Sequence, residues 1–214
     1  MANPAALLHA TLSNWRVGGR LYADTTDQRI AVRHLDAIED LLDQMDAVNI
    51  GTEVYREQFP KWCALTLHNP NEWQVQSNLK HIDNTALDHL WNLSEWFRTL
   101  VPTVSTDGLD ALRTFAEGTQ TVLDEDDTID PLLKQHVRGV INHLLWCIDR
   151  YDDVGDFELR EAVDRLIAAM ATTAARSGKR DRWREWMNKF VYPFTVNMVS
   201  AIPAQAVIQL ALGG

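Results

Sequence analysis

The stretch TTDQRIAVRHLDAIEDLLDQMDAVNIG, residues 25–51, decides the fold class. Within it Ala31, Leu35, Ile38, Leu42 and Met45 follow one another at four- and three-residue steps. That period places all five along one stripe of an α-helix. Thr25 and Gln28 stand where a capping box would start the helix, and Asn49 with Gly51 supplies the stop. A strand would instead need an apolar residue at every second position, and no convincing run of that kind appears in the chain.

Helical spacing continues on both sides of this stretch. Upstream, Leu8, Leu12 and Trp15 share a face of a short helix from Pro4 to Trp15, ended by Gly18-Gly19. Downstream a helix is predicted from Thr52 to Leu67, with Pro60 set to kink or divide it because proline removes an N–H and crowds the preceding turn. A turn comes next at His68–Glu72, and residues 69–83 read as either loop or a short helix. Asn84–Leu100 predicts a Trp-rich helix with Leu87, Leu90, Trp91 and Phe97 inward, ended by Pro102, and 107–123 predicts another, weakened by Gly118.

Asp124–Asp130 looks like a calcium loop until its spacing is tested. Its sixth position is Ile129 in place of Gly, and its twelfth is Gln135 in place of Glu. The run reads better as a helix start, with Asp130 as N-cap and Pro131 in the first helical position. Residues 131–151 then form an amphipathic helix with Leu133, Val137, Val140, Ile141, Leu144 and Ile148 on the buried side. Gly155 breaks the chain and Asp156 can cap the next helix, in which Leu159, Val163, Leu166 and Met170 continue the pattern to Ser177-Gly178. A basic helix from Asp181 to Phe190 and an uncharged tail complete the chain. The expected fold is therefore all-α: a single-domain bundle of seven or eight helices over 1–189, then an apolar helical hairpin or tail over 190–214.

Composition narrows the function classes. With 214 residues, 46% hydrophobic and 23% charged, the chain can bury a core without metals or disulfides. A net charge of −10 opposes phosphate backbones, so nucleic acid is not an expected partner. The two cysteines, Cys63 and Cys147, each come directly after a Trp in apolar helical surroundings and read as buried free thiols. The opening MANPAALLHA lacks a basic n-region and its apolar run is short, so a reducing cytoplasm is the expected setting, with membrane association as a variant.

That variant rests on the C-terminus. No charged residue occurs from Phe190 to Gly214, and Arg180, Arg182, Arg184 and Lys189 lie just upstream among Trp183 and Trp186, with Tyr192 just beyond. Cations and indoles beside an apolar segment can anchor a helix at a membrane interface or meet a partner protein. Pro193, Asn197, Pro203, Gln205 and Gln209 lower its hydropathy, which suits a tail packed into a helical core.

Among catalytic patterns, HExxH, G-x-S-x-G, phosphate loops and dinucleotide fingerprints are all absent. His136 and His143 share one helical face, with no carboxylate nearby in sequence to complete a metal site, so neither metal nor other cofactor is expected. Arg138-Gly-Val-Ile-Asn-His143 resembles the signature of HEPN-type ribonucleases, compact helical domains that act as dimers. The resemblance implies acid–base work for His143 and a phosphate grip for Arg138. A Gly comes after the Arg where that family carries a polar residue, and Arg29 with His34 repeats the spacing.

Three functions emerge as expectations. The first is a non-catalytic interaction or regulatory protein, whose helix faces and eight tryptophans meet another protein or a second copy. The second is a membrane-directed effector of toxin or host-defence type, and the third a HEPN-like ribonuclease.

Overall fold

The computed structural model describes residues 3–15, 25–67, 84–105 and 107–194. The Gly18-Gly19 turn, the region 69–83 and the tail beyond residue 194 lie outside the described residues. The elements are α1 (Pro4–Trp15), α2 (Thr25–Ala47), α3 (Glu53–Leu67), α4 (Asn84–Leu100), α5 (Gly108–Asp124), α6 (Pro131–Asp149), α7 (Tyr151–Arg176) and α8 (Arg180–Met187). The all-α, multi-helix expectation holds, and no described helix is long and apolar enough to cross a membrane.

Within this fold the chain divides into two compact units. One comprises Met1–Val101 with Asp152–Phe157, and the other Pro102–Tyr151 with the chain from Glu158 onward. The chain passes from the second unit to the first after Tyr151 and back again after Phe157, both within α7, and between those points Gly155, with φ of 74° and ψ of −174°, interrupts the helix. Only glycine adopts that conformation without strain, which is why the break is placed there.

In the first unit, Ala31, Leu35, Ile38, Leu42 and Met45 are all buried, as their spacing requires, and meet Leu8, Leu12 and Trp15 of α1 in one core. Asn49 closes α2 in the left-handed conformation at φ 61°, and the Ile50 N–H returns to the Met45 carbonyl at 2.9 Å. Gln28 donates to the Thr66 carbonyl at 3.1 Å and so ties α2 to α3, while the side chain of its expected capping partner, Thr25, is outside the described residues. Pro60 lies within α3 on an exposed position, and the helix continues through it undivided. Trp62 is fully buried and satisfies its indole N–H on the Ala86 carbonyl at 2.8 Å. Trp91, expected inward, is 47% exposed. It sits at the edge of the buried arc of α4 and packs against His9, with ring centroids 5.4 Å apart.

The second unit is organised around the acidic run. Asp130 caps α6 as expected, accepting from the N–H groups of Leu132 at 2.9 Å and Leu133 at 3.3 Å. Asp126 does something the sequence did not announce. It is fully buried and accepts from Trp183 Nε1 at 2.8 Å, from Thr128 Oγ1 at 2.6 Å and N at 3.0 Å, and from the Ser177 hydroxyl. Burial opposes ionisation of this carboxyl, but the hydrogen bonds from Ser177, Thr128 and Trp183 outweigh it and hold the group well below the usual carboxylate range.

Trp186 completes the packing of α8 on α5. It stacks on Phe115 at 5.4 Å and 8°, donates to Thr119 Oγ1 at 2.9 Å, and lies directly over Gly118. A Cβ at Gly118 would stand 2.2 Å from the indole, so this glycine is a packing requirement of the helix pair. Beyond α8, Phe190 packs on Phe115, the Ser105 N–H donates to the Pro193 carbonyl at 2.8 Å, and Val104 bridges Phe194.

Two variants test this arrangement by urea unfolding. Asp126→Asn replaces an acceptor that takes several donors, and is expected to lose about 2–4 kcal/mol at neutral pH. Because the folded pKa is depressed, this stabilisation is complete above the unfolded value of about 4 and fades as pH falls below it, so the variant also flattens the acid limb. Gly118→Ala gains about 1 kcal/mol of helix propensity, yet displaces an indole held on two sides, and is expected to be destabilised on balance.

Candidate functional site

α6 has two faces with different roles. Val137, Ile141, Leu144, Cys147 and Ile148 are buried, as a helical stripe should be. On the other side, Leu132, His136, Gly139, Val140 and His143 recur at helical steps along a groove of about 490 Å³, which Gln135 and Arg165 of α7 also line. Val140, expected in the core, is only half-buried and belongs to this groove. Leu132 is 76% exposed, and it opens the stripe at the first turn of the helix.

The lining contains two imidazoles, an amide and a guanidinium, and no carboxylate. Arg165 is paired with Glu161 Oε2 at 2.9 Å and His143 faces Glu158, so the lining is close to neutral in a chain of net charge −10. Gly139 sits at the middle of the stripe, exposed, and beyond its chain neighbours and its own helix backbone nothing lies within 4 Å of where its Cβ would be. A glycine in a helix interior costs about 1 kcal/mol relative to alanine. Unlike Gly118, this one is not required by any packing within the unit.

At the inner margin of the groove His143 meets two further polar groups. Its Nε2 lies 3.3 Å from Glu158 Oε1 at the start of the second unit's part of α7, and 3.9 Å from Cys147 Sγ one turn along α6. Its ring stacks on Trp146, with centroids 5.9 Å apart and planes at 22°. No carboxylate near the histidines in sequence could join them; Glu158 reaches the cluster from the next helix, fifteen residues further along the chain.

The nuclease-like pair does not converge. Arg138 is exposed, and its Nη2 is bonded to Asp124 Oδ1 at 2.6 Å, whereas His143 faces Glu158. Five residues along a helix separate two side chains by about 140°, so one chain does not aim both at a common phosphate. The second match fares similarly: His34 is buried, with Nε2 3.0 Å from the Asp153 carbonyl oxygen.

The basic, Trp-bearing segment is engaged within its own unit. Trp183 is buried on Asp126, and Trp186 is held between Phe115 and Thr119. Arg182 pairs with Glu125, and Lys179 with Asp127 at 2.6 Å, so the basic segment neutralises the acidic run along with Arg138. Arg180 donates to the Ala175 carbonyl at 3.2 Å, Arg184 lies 3.9 Å from Asp181, and Lys189 reaches Glu185 at 3.4 Å and covers Trp186. Tyr192 packs between Phe190 and Phe194, and burial, reinforced by Asp164, pushes its phenol up to about 12. Neither cysteine is in a disulfide; Cys147 is buried and Cys63 half-buried.

No protein-family model, curated protein or solved structure matches the chain.

The contrast between the two glycines is directly measurable. Gly139→Ala is expected to raise stability by about 1 kcal/mol in urea or thermal unfolding, opposite in sign to Gly118→Ala.

Proposed function

We propose that this is a non-catalytic helical interaction protein, that the α6 stripe is its contact surface, and that a second copy of the chain occupies it. The observation that carries the reading is Gly139: an exposed glycine with open space above it, midway along an apolar and uncharged-to-basic stripe. A small residue at a helix crossing lets two backbones approach closely, and that supplies a reason for a glycine that the isolated unit does not use.

Charge points to the occupant. Self-association of a chain at −10 is opposed over most of its surface by like-charge repulsion. The groove lining holds no carboxylate, and the two that border it, Glu161 and Glu158, are engaged with Arg165 and His143, so two copies can meet there with less of that penalty. Leu132 and Val140 provide apolar area on either side of the crossing. A contact confined to one 19-residue helix is small, so the association is of micromolar strength and responsive to concentration. The half-exposed Trp91 and Trp96 stand about 140° apart on α4 and form no shared patch, which directs the reading to α6.

Sedimentation velocity across the micromolar range provides the test. The intact chain is expected to show a monomer–dimer equilibrium. Leu132→Asp places a carboxylate in the stripe, at a first-turn position where an acidic residue favours the helix, and Gly139→Gln fills the crossing. Each is expected to weaken the dimer at least about tenfold while leaving helicity intact. A chain that stays monomeric throughout, or a dimer indifferent to both substitutions, refutes the reading.

A further inference from the structure

We propose that His143, Cys147 and Glu158 form a three-donor site for a divalent transition-metal ion of zinc type. The donor atoms of the three side chains all lie within 4.8 Å of one another. His143 and Cys147 are one helical turn apart on α6, a spacing that brings side chains onto one face, and Glu158 is supplied by α7.

The separations fit the coordination sphere. Bond lengths of about 2.0 Å to nitrogen and oxygen and about 2.3 Å to sulfur, at tetrahedral angles, require donor–donor distances of about 3.3 Å and 3.5 Å. The Nε2 to Oε1 distance is 3.3 Å, and Sγ to Nε2 is 3.9 Å. The imidazole and carboxylate are therefore already at the required spacing, and the thiol, 3.9 Å from the imidazole and within 4.8 Å of the carboxylate, closes on both by a side-chain adjustment of up to about 1 Å. Stacking on Trp146 limits rotation of the imidazole.

Donor chemistry selects the ion. A thiolate with an imidazole excludes magnesium and calcium, which take oxygen ligands, and favours zinc and its neighbours. A thiolate and a carboxylate together neutralise a divalent cation, so the loaded site carries no net charge into its sheltered position. Cys147 is buried, while the side chains of His143 and Glu158 keep 27% and 16% of their exposure, which leaves the ion a way in. Three protein donors leave the fourth position to water or an exogenous anion. The site does not rest on self-association, because Cys147 and Glu158 are not part of the groove lining.

A hydrogen-bonded histidine–glutamate pair beside a core thiol would place the same atoms without an ion, and cobalt separates the two cases. The full-length protein is stripped with a chelator and titrated with Co²⁺. The expected result is one equivalent bound, with a thiolate-to-cobalt charge-transfer band and tetrahedral d–d bands, displaced by Zn²⁺. Cys147→Ser is expected to abolish the charge-transfer band, and His143→Ala and Glu158→Gln to weaken binding at least about tenfold. His136→Ala, which alters only the groove, is expected to retain the band. Circular dichroism reports folding of each variant, and the two half-buried positions provide the test if Cys147→Ser does not fold. Absence of the band, or its persistence in folded Cys147→Ser with Cys63 as the source, overturns the proposal.

Discussion

The second unit depends on one buried carboxylate. Asp126 collects donors from its own loop and, more than fifty residues later, from the end of α7 and from α8. A buried anion without donors would be prohibitively costly, so the three segments must arrive together or not at all. Its hydrogen bonds fix where the chain turns after α7, and that turn sets α8 against α5 with Trp186 over Gly118. The exposed pairs around it, Arg182 with Glu125 and Lys179 with Asp127, add little stability individually but make a run of carboxylates tolerable at the edge of an acidic chain.

This arrangement explains which parts of the fold were legible in the sequence. The apolar stripes were, because burial of one helix face is a local, periodic property: every expected core position in α2 and in the later part of α7 is buried. The caps were also legible where one residue and its immediate neighbours make them, as at Asp130 and Asn49. Asp126 was not, since nothing in the run of acids distinguishes the carboxylate that will be buried from those that will face cations. The intramolecular pairing of the basic segment was hidden for the same reason. Arg182 and Trp183 meet acids more than fifty residues earlier, a pairing that adjacent residues do not reveal.

The candidate site divides along the same line. The stripe from Leu132 to His143 is visible in the sequence once Gly139 is seen to lie on the face away from the core, and the presence of Val140 there corrects only its degree of burial. Glu158 was beyond reach, because its approach to His143 depends on the turn between α6 and α7 and on the break at Gly155, neither of which fixes an angle from sequence alone.

Angular position on α6 then accounts for how one helix serves several ends. Arg138 turns toward α5 and closes on Asp124; Val137, Ile141, Leu144, Cys147 and Ile148 turn into the core; and Leu132, His136, Gly139, Val140 and His143 are left to the groove. His143 stands where stripe and core meet, so it alone can touch the groove on one side and Cys147 and Glu158 on the other. The sequence pattern pairs it with Arg138, whose side chain in this unit lies on Asp124. Five positions along a helix is a short distance and a wide angle, and in this unit the angle decides the chemistry.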